Sequence, residues 1–381
     1  MGLSSRELSR RTLMAGSLAA LLAPNAFAQD EALSFTVNDA GHVIAPIEIN
    51  GEAGLAVIDN GFGITAMDAN HARNRSLIGG QTVRINGGDT VKAVGVKLAL
   101  GPLETLVTPA LVDLSHIPAP DGAKVQMIIG RDVLALTILT LDFERKSYAA
   151  TVGRGKFYPP GGMKLLRLSR TPQGAHAAQI EVEGEKIVAH VDLGASSPLM
   201  MREGPRTQAW IDGGRPWTTI ARITARGRDM VTDMGMMASV QKASIGGFGF
   251  GHVPVEIYGP RDPAFGRHEA VIGAPVLARF LTVLDVRNSR LWLRPNGRLA
   301  DPFRRQTIGA GTRREGEALV VVHIGANSPA EKAGLRDGDV ITAIDGALAN
   351  RDRLRDAKPG DVLALKLADG RTRKVTAAEF Y

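Results

Sequence analysis

The 381-residue sequence contains no cysteine. Disulfide staples and thiolate-based metal or redox centres are therefore excluded. A dense block of one charge sign is also missing. The 46 Lys and Arg against 39 Asp and Glu give a net charge of +7 spread along the chain, which speaks against a nucleic-acid partner. Past the first 28 residues no apolar run approaches the ~20 residues that a membrane span needs, so no integral membrane segment is expected there. Several catalytic signatures are absent as well. No Gly-x-Ser-x-Gly occurs, since Ser196-Ser197 runs into Pro198. The histidines (His42, His71, His116, His176, His190, His252, His268, His323) never adopt the His-Glu-x-x-His spacing of a zinc site. Neither a metal nor a cofactor is expected. What remains is a soluble, globular composition, 44% hydrophobic and 22% charged.

Residues 1–28 read as a targeting segment. Ser9-Arg10-Arg11-Thr12-Leu13 fits the twin-arginine pattern, an apolar stretch from Met14 to Ala23 follows, and Ala26-Phe27-Ala28 fits a small-residue cleavage site. An ordinary Sec leader with a chance Arg pair is the alternative. Either way the mature chain is expected to begin near Gln29 and to work in the periplasm or outside the cell. Losing Arg6, Glu7, Arg10 and Arg11 leaves a net charge of +5.

The chain then repeats itself. Ile47 through Ile58-Asp59-Asn60-Gly61 to Met67 aligns without a gap on Ile180 through Val191-Asp192-Leu193-Gly194 to Met200, at an offset of 133. A second block, Met127-Ile128-Ile129-Gly130 to Asp142, matches Ala270-Val271-Ile272-Gly273 to Asp285 at an offset of 143. The second copy thus carries about ten extra residues between the blocks. Both copies place an aspartate at the end of an apolar run, in a turn where glycine admits close backbone approach.

Short β-rich runs separated by Asn-Gly and Gly-Pro turns predict an all-β-dominated chain. The expected units are a first lobe over 29–152, a Gly/Pro-rich linker over 153–165, a second lobe over 166–300, and a C-terminal unit over 304–381. Arg84 to Val91 reads as a hairpin, either over a cleft or plainly on the surface. The arginine-rich region from Arg202 to Arg228, with Trp210 and Trp217, is a solvated insertion or a substrate-contacting loop. Ile245-Gly246-Gly247-Phe248 reads as a hairpin turn rather than a nucleotide loop. In the C-terminal unit, Leu319–Ile324 predicts a strand and Ser328-Pro329 to Gly334 a Pro-initiated helix closed by glycine. Asp337 to Gly346 predicts a turn and a second strand.

The C-terminal run from about 304 to 381 resembles PDZ domains of the bacterial type. In such domains a glycine-containing loop before a strand receives a peptide; here that is Gly309-Ala310-Gly311. With both copies counted, the chain resembles pepsin/retropepsin-like aspartic peptidases over about residues 40–295, and bacterial exported ones with a C-terminal PDZ domain most of all. The Asp-x-Gly turn followed by an apolar-apolar-Gly loop carries that likeness. It implies two β-barrel lobes related by a pseudo-twofold and an α+β PDZ domain. It also implies a monomer with one intramolecular site, acting on a peptide or protein substrate.

The resemblance places catalysis on Asp59 and Asp192, with support from Asn60, Gly61, Gly194, Ser196, Gly130 and Gly273. Close carboxyls share one proton, the aspartic proteases being the standing example. The departures are Asn60 and Leu193, where the family has Thr or Ser, and Phe62 and Gly63, where it has small or hydroxyl residues. They imply a more loosely held dyad or a degenerate first lobe. The Gly-Asn-Ser-Gly-Gly loop of PDZ-linked serine proteases is absent. The alternative function is a catalytically degenerate peptide-binding protein that uses the same cleft and the PDZ domain. His190, Asp142 and Asp285 read as structural.

Overall fold

A computed structural model describes residues 32–38, 40–119, 122–152, 157–171, 174–227 and 229–381. The expected targeting segment, the start of the linker and Arg228 therefore lie outside the described residues. Strands dominate, and no described helix exceeds the eight residues of Pro205–Asp212. None of them is long and apolar enough to cross a membrane.

Each copy of the repeat builds the same three-strand arrangement. In the first, Glu52–Ile58 runs parallel to the short strand Met127–Ile129, and Ala66–Asp68 returns antiparallel on its other side. In the second, Glu185–Asp192 flanks Ala270–Gly273 in parallel and Leu199–Arg202 returns antiparallel. The central strands are apolar throughout and fully buried, as strands covered on both faces must be. Each aspartate lies where the chain leaves one side of the central strand and crosses to the other.

The register corrects the alignment. Met127 pairs with Met67, while its counterpart Ala270 pairs with Met201 rather than Met200. The second turn is one residue longer. The extra residue enters after Ala195: Phe62 O accepts from Arg131 N at 2.9 Å and Ala195 O from Ala274 N at 3.0 Å, so the copies still correspond there. A Met-to-Met match hid the shift.

A separate sheet joins the copies. Thr137–Asp142 pairs antiparallel with Phe280–Asp285, Leu139 facing Leu284, Thr140 facing Val283 and Leu141 facing Thr282. At the 143-residue offset the pairing is reciprocal: Leu139 faces the counterpart of Leu141, Leu141 faces the counterpart of Leu139, and Thr140 faces its own counterpart. That reciprocity marks a local twofold axis through the Thr140–Val283 pair. One continuous apolar core runs through both copies, from Phe35 and Met67 to Leu284 and Phe303.

The expected linker is shorter than 153–165. Lys164 and Leu165 already belong to the strand Lys164–Arg167, which pairs with Arg290–Pro295, so the second unit starts earlier than residue 166. Leu165 and Leu166 are adjacent between Lys164 and Arg167, so the segment lacks the period-2 alternation that would mark it as a strand. Two hairpins project from the lobes. Ile78–Ile85 and Gly88–Ala93 join through Asn86 and Gly87, both at positive φ, the two-residue hairpin geometry. Trp217–Arg226 and Asp229–Ile245 form the other. Their tips touch: Gly227 N donates to Ile85 O at 2.9 Å. The arginine-rich region thus folds as the helix Pro205–Asp212 and the second hairpin. Gly246 and Gly247 form the expected tight turn, both at positive φ between the paired Ile245 and Phe248.

The C-terminal unit has its own core, from Ile308 through Leu319, Ile341 and Leu365 to Val375. Its strands run in the order Ala310–Glu315, Ala318–Ile324, Val340–Ile344, Val362–Leu367, Thr372–Thr376. The helix Pro329–Lys332 starts under Ser328, whose hydroxyl accepts from Glu331 N at 3.2 Å, and Gly334 follows at φ 75°. The unit rests on the second hairpin: Thr219 Oγ1 lies 3.0 Å from His323 Nε2 and accepts from Ala326 N at 3.0 Å.

Candidate functional site

The two turns lie against each other, and each glycine receives the opposite aspartate. A Cβ on Gly61 would overlap the Asp192 carboxylate, and one on Gly194 would overlap that of Asp59. Only glycine permits this approach. The two carboxyls are thereby held side by side at the junction of the turns. Asp59 is anchored through its N–H to Ile129 O at 3.1 Å, and its Oδ1 accepts from Phe62 N at 2.9 Å. Asp192 Oδ1 accepts from Gly194 N at 2.7 Å, with the Ala195 N–H beside it. Gly130 and Gly273 floor the turns; a Cβ at either would strike turn backbone, Ile64 in one copy and Ser197 in the other.

Asn60 overturns the expectation of a loosely held dyad. Its Nδ2 donates to Val191 O at 2.6 Å and its Oδ1 accepts from Leu193 N at 2.8 Å. One amide thus grips the opposite turn by both a donor and an acceptor, which a single hydroxyl with one hydrogen does less rigidly. Leu193 needs no polar side chain, because its backbone supplies the contact while the side chain is completely buried in the common core. Ser196, by contrast, does not hold a carboxylate. It is exposed, and the Gly194 and Ala195 N–H groups take that role.

Sequence reasoning missed Arg131. Its Nη1 donates to Asn60 O at 2.9 Å and Gly61 O at 2.5 Å, tying the loop after Ile128-Ile129-Gly130 to the aspartyl turn. The repeat offered a signal, since its counterpart is Ala274 and the two copies therefore differ in charge beside the site. Asp132 supports the same corner by accepting from Thr65 N at 2.8 Å and Thr65 Oγ1 at 2.7 Å.

The electrostatics follow from this packing. Desolvation first, then the Asp192 charge, push the Asp59 carboxyl up to about 8. Desolvation raises Asp192 too, against the Gly194 N–H, the hydrogen bond from Asp59 and the Arg131 charge, all of which favour its ionised form. Together these effects favour a proton shared by the pair and held toward Asp59. Both aspartates keep part of their surface exposed, so a water can reach them. A neutral carboxyl beside an ionised one combines a proton donor and a proton acceptor at one point.

The remaining residues sort cleanly. His190 is buried, with Nδ1 2.9 Å from Ala264 O, and burial lowers it to about 4. It is structural, as are Asp142 and Asp285, whose Oδ1 atoms accept from turn N–H groups of Arg145 at 3.0 Å and Asn288 at 2.9 Å. In the C-terminal unit Gly309 is buried at φ 76°, Ala310 is half-buried and Gly311 is exposed. Ala310–Glu315 is an edge strand whose outer side pairs with no other described strand.

Residues 320–355 match the family model of the PDZ domain. The match runs from the strand Ala318–Ile324 to the helix Arg351–Arg355 and lies wholly outside the two aspartyl turns. No curated protein matches the chain.

Proposed function

We propose that this chain is an exported aspartic endopeptidase whose PDZ domain recruits peptide or protein substrate. The observation that carries the reading is the close approach of the two carboxylates, Asp192 against Gly61 and Asp59 against Gly194, from equivalent turns of two copies of one fold. In the reaction the ionised carboxylate, favoured at Asp192, takes a proton from water. The water oxygen adds to the scissile carbonyl carbon while the Asp59 carboxyl gives its proton to the carbonyl oxygen. Proton transfer to the amide nitrogen then accompanies C–N cleavage and leaves acid and amine products, with one proton back on the dyad. Neither a covalent intermediate nor a metal ion enters this scheme.

The PDZ match supports capture of an extended peptide, and the open edge of Ala310–Glu315 beside Gly309-Ala310-Gly311 supports strand addition as its mode. That match also favours the second reading, in which lobes and PDZ domain bind peptides without cutting them. A denatured protein substrate, offered to residues 29–381 from acid to neutral pH, separates the two. Asp59→Asn and Asp192→Asn are each expected to lose ~10²-fold or more, and the double variant little beyond either. If the wild type cleaves nothing and a hydroxyl-containing transition-state peptide does not bind, the binding reading stands instead. Export is checked by N-terminal sequencing of the periplasmic fraction from a Gram-negative host. A chain starting near Gln29 is expected, and an intact Met1 form in the cytoplasm overturns it.

A further inference from the structure

Phe380 and Tyr381 follow the last PDZ strand but do not stay with the PDZ core. Tyr381 is 7% exposed and belongs to a separate cluster with Met200, Ile220, Met237, Tyr258, Phe265 and Val271, against which Phe380 and Ala195 also pack. These positions have a common geometry. Ala195 stands three residues past Asp192 in the aspartyl turn. Val271 and Met200 face each other on the strands flanking that turn. Ile220 and Met237 lie on the two strands of the hairpin that projects over it.

The first lobe shows what this face is. Its counterparts are Phe62, Ile128 and Ala66, and they form the equivalent cluster with Val112, Leu114 and Val125, all from the same lobe. In the second lobe Phe265 and Ala264 come from the matching segment, but the aromatic pair comes from beyond the PDZ domain. The wall that Tyr381 meets includes the aromatic side chains of Tyr258 and Phe265. The pair is also fastened from its own unit: the Tyr381 hydroxyl accepts from Gln306 N at 2.8 Å, the Arg305 guanidinium stands 4.9 Å from the ring centroid, and the Phe380 and Tyr381 rings meet edge-on at 5.0 Å. The pair also borders a cleft of about 730 Å³ walled by Trp210, Arg215, Gln241 and His252. A way out to solvent therefore exists on that side.

We infer that the second-lobe pocket beside Asp192 is an aromatic-selective substrate subsite, and that Phe380–Tyr381 occupies it in cis. The inference rests on the peptidase reading for the word substrate, but the pocket and its occupant are tested without cleavage. An aromatic residue of a bound peptide and Tyr381 compete for one space, so the chain is self-restrained until the pair is displaced.

The test measures binding of two fluorescein-labelled hexapeptides, one ending in Phe-Tyr and one in Ala-Ala, to the full chain carrying Asp192→Asn. The same protein is then truncated after Glu379. The truncated protein is expected to bind the Phe-Tyr peptide at least tenfold more tightly than the full chain and to gain nothing for Ala-Ala. Tyr381→Ala, which keeps the chain path and Phe380, reads the same gain if truncation harms folding, and Tyr381→Phe, which refills the pocket, should stay blocked. Equal binding by the full chain and the emptied variants, or an equal gain for Ala-Ala, overturns the inference. With the dyad intact, the truncated chain should show a lower KM for aromatic-containing peptides at unchanged kcat. A binding gain without any cleavage would retain the pocket and reject the peptidase.

Discussion

At the scale of single residues the dyad was legible and its fastening was not. Asp59 and Asp192 stand out because a repeat places them identically, whereas the double grip of Asn60 depends on a backbone 133 positions away. Leu193 carries no polar side chain, yet its backbone N–H donates to Asn60 Oδ1 while its side chain fills the core. Replacing Asn60 with Ala removes both cross-turn bonds and leaves a buried N–H at Leu193 and a buried carbonyl at Val191. The expected cost is roughly 2–4 kcal/mol, taking about 1–2 per buried partner left unpaired, read by denaturant unfolding. Leu193→Thr, which restores the hydroxyl of the resembled family, should destabilise rather than help, since it buries an unpaired hydroxyl and leaves a void. The dyad also sets a pH dependence. Carboxyls raised in the folded state bind a proton that the unfolded chain has already released above pH ~4, so the native state loses stability as pH rises toward 8. Asp59→Asn removes that proton linkage. Its unfolding free energy should exceed the wild type's by a margin that is small at pH 4 and grows to on the order of 1 kcal/mol or more by pH 8, read by denaturant unfolding at each pH. A constant margin across that range would mean the pair is not proton-sharing.

At the scale of elements, periodicity and turn chemistry placed the strands well. The Pro-initiated PDZ helix, the Gly246-Gly247 turn and the hairpin around Asn86-Gly87 all follow from local residue preferences. What eluded sequence was anything set by distant pairing. The one-residue excess of the second aspartyl turn shows only in the ladder, because a β register is fixed by its neighbours and not by its own letters. The meeting of the hairpin tips is another such case. Gly88 packs against the backbone of Arg226 so closely that any Cβ there must push the tips apart. Gly88→Val is expected to leave the melting temperature within a few degrees, as both tips are peripheral. It should change KM for a peptide substrate by roughly tenfold if the hairpins close over bound peptide. A variant with unchanged kinetics would make the tip contact ornamental.

At the scale of the whole molecule, the PDZ domain is seated on the second hairpin and sends its aromatic pair into the second lobe. Removal of residues 304–381 should therefore do two opposite things. Cleavage of short peptides should persist or rise, because Tyr381 leaves with the domain, while cleavage of unfolded proteins should fall as recruitment is lost. Peptide and protein rates measured on the same truncated chain check this, and a parallel fall in both would mean the domain merely stabilises the lobe beneath it. The joining sheet carries a different implication. Its reciprocal pairing about Thr140 and Val283 is the geometry by which two identical chains would associate, but the turns it brings together are no longer interchangeable. Two copies of the first turn would aim two Asn60 amides and two Arg131 guanidinium groups at one axis, and two copies of the second would supply neither. The two halves are therefore complementary rather than alike, and neither one paired with its own copy would rebuild this junction.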